Sequence, residues 1–541
     1  MPTIRLASLL IWFVPPLLTG LWAVLLGQDA NWDLRNYHYY NAYAFLTGRG
    51  DFDVAPGQVA SYYNPLLHIP LYYAINSLPP IVVGFLVGAI QGLNFPLLYL
   101  VARRVIHLPT PTWTSVSALA IAALGMTGAG FRSEVGASFG DNFVSILVLA
   151  SMLIVVTVTV RPTASLGRAL AFAGVLVGCA VGLKQPSAIY AVGLCGALLL
   201  RDRAFKDNVI AAFVFGCGVL LGMAVTNGFW MWELWQRYGS PLFPYFNQFF
   251  QSPWATLGDY RDVRFLPNNL VDALLFPFYF VLAPSRMTEI WFLDFRVPLL
   301  YVGLIGLGLT WLWRRAHGVI VTSDERTASA ARYILAAIAI SFLAWLKMFA
   351  IHRYLIGVEL LAPLGLWLVF ERLWRNWRGV VFSFLMLAMV LLATTRTSLW
   401  GRVAFEDDYF GVTIPTVPQP AQSLVLMAGF DPMAYLIPFF PPELRFLRIH
   451  SWFTGPSDHP NGFDRLMQSV VKNHDGPVYG LFRSYERGAA EPAFAAYGYA
   501  IDDVRCQEMR PHIADENGKP TPEPFLFCLM TPLPAPTSTP P

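Results

Sequence analysis

Long apolar runs separated by short polar ones make up most of this chain. A helix needs about 20 consecutive apolar residues to span a bilayer. By that rule about eleven segments qualify, near 6–26, 80–102, 113–130, 142–160, 167–183, 186–200, 209–231, 297–313, 333–350, 354–370 and 379–395. The polar runs between them fall into two alternating sets. One set is basic: Arg103–Arg104, Arg161 with Arg168, "RDRAFK" at 201–206, "RRAHGVIVTSDERTASAAR" at 314–332 and "ERLWRNWR" at 371–378. The other holds 27–79, "FRSEVGASFGDN" at 131–142, "LKQPS" at 183–187, 232–296 and "IHRY" at 351–354. Lys and Arg concentrate in cytoplasmic loops, so the first set and the N-terminus are predicted to be cytoplasmic and the second set external. An odd number of spans carries everything after 396 outward as well.

The N-terminal run is longer than the ~7–15 apolar residues of a signal core, and no small-x-small cleavage site follows it. It is predicted to be an uncleaved first span with Arg5 inside. After 396 the pattern changes. "QSLVLMAGFDPMAYLIP" predicts a strand, a turn and a helix, and "GPVYGLFRS" predicts a buried strand. The chain is therefore divided into a transmembrane domain at 1–395, an external α/β domain at 396–530 and a Pro-rich tail at 531–541 predicted to be disordered.

Composition sharpens this picture. The chain is 55% hydrophobic and 13% charged, against about 25% charged in soluble domains. A net charge of +3 is too small to suggest a nucleic-acid partner. Cys179, Cys195 and Cys217 fall in apolar runs and read as small core residues. Cys506 and Cys528 lie in the polar tail, can pair, and show no metal-ligand spacing. There is no internal repeat and no phosphate loop of the P-loop type.

The first polar segment, "QDANWDLRNYHYYNAYAFLTGR" at 28–49, carries Asp29 and Asp33 among Arg35, His38 and several Tyr and Asn. Tyr37, Tyr40, Ala44 and Phe45 recur at helical spacing, predicting an amphipathic helix on the membrane surface. "SYYNPLLHIPLYYAINSLPP" at 61–80 predicts a second. Two such helices between spans 1 and 2 suit the roof of a site.

An outward acid followed by an aromatic helix ending in "TGR" resembles the first external loop of the GT-C superfamily of membrane glycosyltransferases, through Asp33, Tyr37 and Gly48. "GLKQPSAIY" at 182–190 is similar to a Lys-bearing turn of such enzymes. "YGSPLFPYFNQFFQSP" at 238–253 resembles a recurrent external loop of bacterial members, and "HRYLIGVELLAP" at 352–363 resembles an external Arg-Tyr entry to a late span. The resemblance covers the layout of about residues 1–395. It implies inverting transfer of a sugar from a polyprenyl phosphate or diphosphate to a glycan, lipid or protein acceptor on the periplasmic face of a bacterial inner membrane.

Such chemistry needs a base for the acceptor and cations for the leaving phosphate. Asp33 is the expected base, with Asp29 as its alternative. Lys184, Arg353 and His352 are expected at the donor phosphate, because charge at the ends of apolar spans is costly without a role. Asp29, Arg35, Tyr37, His38, Arg132, Glu134 and Asp141 complete the expected substrate contacts. Several of these residues also have ordinary readings: Asp33 and Asp141 as helix caps, and Lys184 as a side chain that snorkels to the interface. Arg286, Glu289 and Asp294 read as surface charge, and His38 and His68 as interfacial hydrogen-bonders. Some members of the superfamily use a divalent metal, Mg or Mn, through paired acids; here Asp141 with Asp33 or Asp29 is the candidate pair, while the tight acidic runs "DFD" at 51–53 and "EDD" at 406–408 lie past the predicted helix and in the tail. A polymerase or ligase of lipid-linked oligosaccharides, with cations in the 232–296 loop, is a neighbouring reading. A transporter or flippase for lipid-linked sugars is a more distant one, since it calls for charge near the bilayer midplane.

Overall fold

The computed structural model describes residues 2–161, 165–317, 325–374, 376–457, 459–515 and 523–534. The Pro-rich tail lies outside the described residues from 535 onward. The chain forms two compact units: Met1–Leu26, Phe85–Phe229 and Arg261–Trp400 make the first, and Gly27–Gly84, Trp230–Tyr260 and Gly401–Pro541 the second.

Helices dominate the first unit. Among the described residues nine helices are long and apolar enough to cross a membrane: Leu9–Leu26, Pro80–Val105, Asp141–Val160, Leu166–Leu183, Phe205–Tyr238, Arg296–Ala316, Arg326–Met348, His352–Leu373 and Trp377–Thr394. This is the architecture of a polytopic helical membrane protein. Two of the eleven expected segments are shorter helices, Pro111–Gly125 with 15 residues and Ala188–Leu198 with 11. Their apolar runs extend past the helices themselves. The run at 113–130 turns after Gly125 and enters a separate short helix, Ala129–Ser133. The run at 186–200 spends its start on a 3-10 turn, Gln185–Ser187, and its end on the turn at Leu199–Leu200.

Every residue from Ile356 to Val369 is buried. A helix apolar on all sides belongs at the centre of a bundle. Elsewhere small residues let helices approach closely. A Cβ on Gly174 or Gly178 would meet the carbonyl oxygen of Phe215 or Val219 at 2.1 and 2.2 Å. From the facing helix, Gly218 and Gly222 sit as tightly against the carbonyls of Ala171 and Val175, at 2.1 Å each. Glycines four residues apart place one bare stripe against another, which is how helices pack when lipid supplies no hydrophobic drive.

A five-stranded sheet organises the second unit. Its strands are β1 (Leu424–Ala428), β2 (Arg445–His450), β3 (Val478–Arg483), β4 (Tyr499–Met509) and β5 (Phe525–Pro532), in the order β2-β1-β3-β5-β4. β1 runs parallel to β2 and β3, and β5 runs antiparallel to β3 and β4. Helix Gly462–Lys472 connects β2 to β3 and starts with a reciprocal cap between Asn461 and Asp464. Cys506 and Cys528 face each other across β4 and β5 and form a disulfide. By contrast, Cys217 is exposed on its helix rather than packed in a core.

The 27–84 segment belongs to this same unit. Val54 adds a parallel bridge to Leu447 on β2. Beside it Arg49 and Asp53 form a buried ion pair at 2.8 Å. Asp53 also accepts from the Tyr40 hydroxyl and the Phe446 amide. The ring of Tyr62 packs among Tyr238, Phe243, Phe453 and Phe463. The sheet thus shares its core with residues that lie far before it in sequence.

Candidate functional site

In the first unit, polar side chains from several helix ends form one connected set. Gly140, with φ of +90°, precedes helix Asp141–Val160, a backbone conformation that glycine adopts at no steric cost. The turn places Asp141 so that its Oδ2 accepts from Lys184 Nζ at 2.5 Å. Lys184 stands where helix Leu166–Leu183 ends, and it also donates to the Phe139 carbonyl. Its ammonium lies 5.5 Å from the centre of the Tyr354 ring. Arg353 sits over the rings of Phe139, Tyr354 and Trp400 at 4.9, 5.4 and 5.8 Å. Both cations therefore lie against Tyr354, in contacts that favour positive charge.

Glu134 is 0% exposed. Burial pushes its carboxyl well above the usual range, and the charge of Asp141 pushes it further; Lys184 and Arg353 pull it back. Lys184 and Arg353 thus stand beside two acids, Asp141 and Glu134, in one set of side chains.

A second network holds this set in place. The amides that open helix Ala129–Ser133 lack partners within the helix, and two buried carboxylates supply them. Glu359 accepts from Gly130 and Phe131 at 2.9 Å each, and Asp294 accepts from Ala129 at 3.0 Å. His352 Nε2 lies 3.2 Å from Glu359, and its ring stacks on Phe292 at 3.9 Å. The structure therefore places His352 with Glu359, behind the segment that carries Arg132 and Glu134. Asp294 is not surface charge: it and Arg296 are buried and paired at 2.5 Å. Arg296 donates further to Leu124, Thr127 and Thr395. Arg286 and Glu289 do lie nearer the surface, paired with Asp272 and Arg264.

The second unit holds the other expected residues. Gln28–Asp29 pairs antiparallel with Arg402–Val403. Asp29 is buried, and both of its oxygens accept from the Asn31 side chain, at 2.7 and 2.9 Å. Asp33 is half-buried at the start of a wide helical turn, Leu34–His38, and accepts from the Tyr37 hydroxyl at 3.4 Å. The turn continues as helix Tyr39–Thr47, which ends at Gly48 with φ of +71°. Tyr37 meets His38 and Tyr63 edge-on at 4.4 and 5.2 Å, and His38 stacks on His68 at 3.8 Å. Arg35 is half-buried, and its charge acts on the buried hydroxyl of Tyr435.

The "DFD" acids are divided between two arginines, Asp51 with Arg237 and Asp53 with Arg49. Among the described residues no group of three His, Cys, Asp or Glu side chains is arranged to hold a metal ion. Hard divalent cations need several oxygen ligands together, so the donor set seen here does not fit one and no step is derived through a metal.

Sequence reasoning did not single out Glu359, Arg296, Phe139 or Trp400 as parts of this arrangement, and Tyr354 entered only through the Arg-Tyr resemblance at 353–354. Glu359 had a legible signal, an acid inside an apolar run two helical turns after His352. The rings of Phe139 and Trp400 had none, because they meet the others only through the fold. No protein-family model matches this chain, and no curated protein matches it.

Proposed function

We propose that this chain is a membrane glycosyltransferase that moves a sugar from a polyprenyl phosphate or diphosphate to a glycan, lipid or protein acceptor. The observation that carries the reading is the group Lys184, Asp141, Glu134 and Arg353 at the ends of apolar helices. In such a transfer the bond from the anomeric carbon to the phosphate oxygen breaks, and the electron pair leaves with the phosphate. Fixed cations stabilise that developing charge, which is the role given to Lys184 and Arg353.

The acceptor hydroxyl must lose its proton as it attacks, and Asp33 is assigned as the base. Asp29 suits this role less, because both of its oxygens already accept from Asn31. The superfamily resemblance supports the placement of this chemistry on a periplasmic face, in the bacterial cell envelope.

A second reading is favoured by Glu134 itself. A buried carboxyl with raised proton affinity is also what a proton-coupled transporter or flippase uses to carry a proton. Reconstituting the purified protein with a panel of polyprenyl-phosphate sugars, with and without chelator, separates the two. Consumption of one donor, lost in Asp33→Asn and in Lys184→Ala, supports transfer. Sugar-lipid translocation that depends on a proton gradient, with no donor consumed, overturns it in favour of transport.

A further inference from the structure

Beside the buried Asp294–Arg296 pair lies a cavity of about 230 Å³, lined by Trp22, Thr127, Arg132, Leu391, Leu392 and Thr395. Trp22 belongs to the end of helix Pro2–Leu26, and Leu391 and Leu392 to the end of helix Trp377–Thr394. The cavity is therefore apolar on the side of two candidate spans and polar at their ends. That is the layering of a lipid, with chain below and headgroup above.

Arg132 lines the polar end of the cavity, and the guanidinium of Arg396, outside the lining, meets it at the Thr395 carbonyl. Arg396 Nη1 donates to the Thr395 carbonyl at 3.0 Å, and Arg132 Nη1 approaches the same oxygen at 3.4 Å. Neither forms a salt bridge among the described residues. One carbonyl oxygen cannot balance two cations. Burial, together with the charges of Arg296 and Arg396, pushes the Arg132 guanidinium below its ordinary range. The neighbouring carboxylates are committed: Asp294 to Arg296, and Glu359 to His352 and two amides. A tetrahedral phosphate offers several acceptor oxygens and is gripped well by paired guanidinium groups.

We propose that Arg132 and Arg396 bind the phosphate of a membrane lipid whose first methylenes lie against Trp22, Leu391 and Leu392. Drug-sized sites occupy about 300–1,000 Å³; this cavity is smaller, so it takes the phosphate and the start of one chain, leaving the rest in the bilayer. The inference stands apart from the transferase reading, because it requires no reaction. A glycerophospholipid and a polyprenyl phosphate share the chemistry.

Native mass spectrometry of the full chain in mild detergent tests it, with phosphatidic acid, a polyprenyl phosphate, diacylglycerol and inorganic phosphate each added separately. The expected result is retention of at least one phosphate-bearing lipid, without retention of diacylglycerol or inorganic phosphate. Preference between the first two identifies the source. Arg132→Gln with Arg396→Gln is expected to lower occupancy at least tenfold, and the paired Lys variant less. Leu392→Trp, which adds bulk at the apolar wall and leaves both arginines in place, is expected to lower it as well, so a folding defect in the Gln variant does not decide the matter. Equal retention by the wild type and the folded Gln or Trp variants, equal retention of diacylglycerol, or binding of inorganic phosphate alone overturns the proposal.

Discussion

Lys184 and Asp141 stand 43 positions apart in sequence and meet at 2.5 Å, with side chains only 14% and 5% exposed. Removing one partner of such a pair leaves a buried charge uncompensated, which costs about 3–5 kcal/mol. Lys184→Ala is therefore expected to destabilise the protein by that order. Lys184→Ala combined with Asp141→Asn is expected to recover most of the stability but none of the transfer activity. Thermal unfolding in detergent alongside donor turnover checks both. Recovery of activity in the double variant would remove Lys184 from the phosphate role.

Glu134→Gln tests the buried carboxyl. Burial and the charge of Asp141 raise its folded pKa. Below the unfolded value of about 4.3 both states are protonated and nothing is lost. As pH rises from there, the unfolded state gains by ionising while the folded state stays protonated, so the wild type loses stability until the raised folded value is passed. Gln, which does not titrate, escapes this loss. The variant is expected to match the wild type near pH 4 and to exceed it by a growing margin as pH rises above that. Melting temperatures across that range give the answer, and a constant offset would contradict it.

Asp33 and Asp29 are separable. Asp33→Asn is expected to leave the melting temperature nearly unchanged and to lower turnover about 10²–10⁴-fold, the usual contribution of a general base. Asp29→Asn disturbs a buried set of hydrogen bonds to Asn31 and is expected to cost stability by about 1–3 kcal/mol. A pH–rate profile of transfer distinguishes loss of a base from loss of fold.

Asp294→Asn removes the charge that Arg296 requires and weakens the support of the Ala129 amide. A loss of about 3–5 kcal/mol is expected, with the segment that carries Arg132 and Glu134 becoming more accessible to protease. Asp294→Glu is expected to fare little better, because a closely packed surrounding of a fully buried pair resists another methylene.

Gly218→Val is expected to separate the helices Leu166–Leu183 and Phe205–Tyr238, since a Cβ there meets the Ala171 carbonyl at 2.1 Å. The atom it meets is backbone and cannot rotate aside. Gly216 lies on the same helix, and a Cβ added there would have nothing within 4 Å. Gly216→Ala is expected to be tolerated and to gain up to about 1 kcal/mol of helix propensity, and the pair of melting curves provides the comparison.

The apolar runs by themselves determined that this is a helical membrane protein, and they located the nine helices that, among the described residues, are long enough to cross. The reason is local: a long apolar run has no solution in lipid other than a helix that satisfies its own backbone. The strands at 424–428 and 478–483 were legible for a similar reason, as short apolar runs bounded by turn residues. Lys184, Arg353, Glu134 and Asp141 were each visible as charge at the margins of apolar runs.

Their association was not visible in the sequence. Which ionisable group pairs with which depends on helix ends that are far apart along the chain, and on turns such as Gly140 that aim them. Asp294 reads as surface charge because it lies in the long 232–296 loop, yet the fold buries it to hold an amide of a different helix. The 27–84 segment reads as a loop of the membrane domain, yet its Val54, Asp53 and Tyr62 pack with the C-terminal sheet. Burial is a property of the completed packing, and only the tertiary structure decided which polar groups lost their water and therefore needed one another.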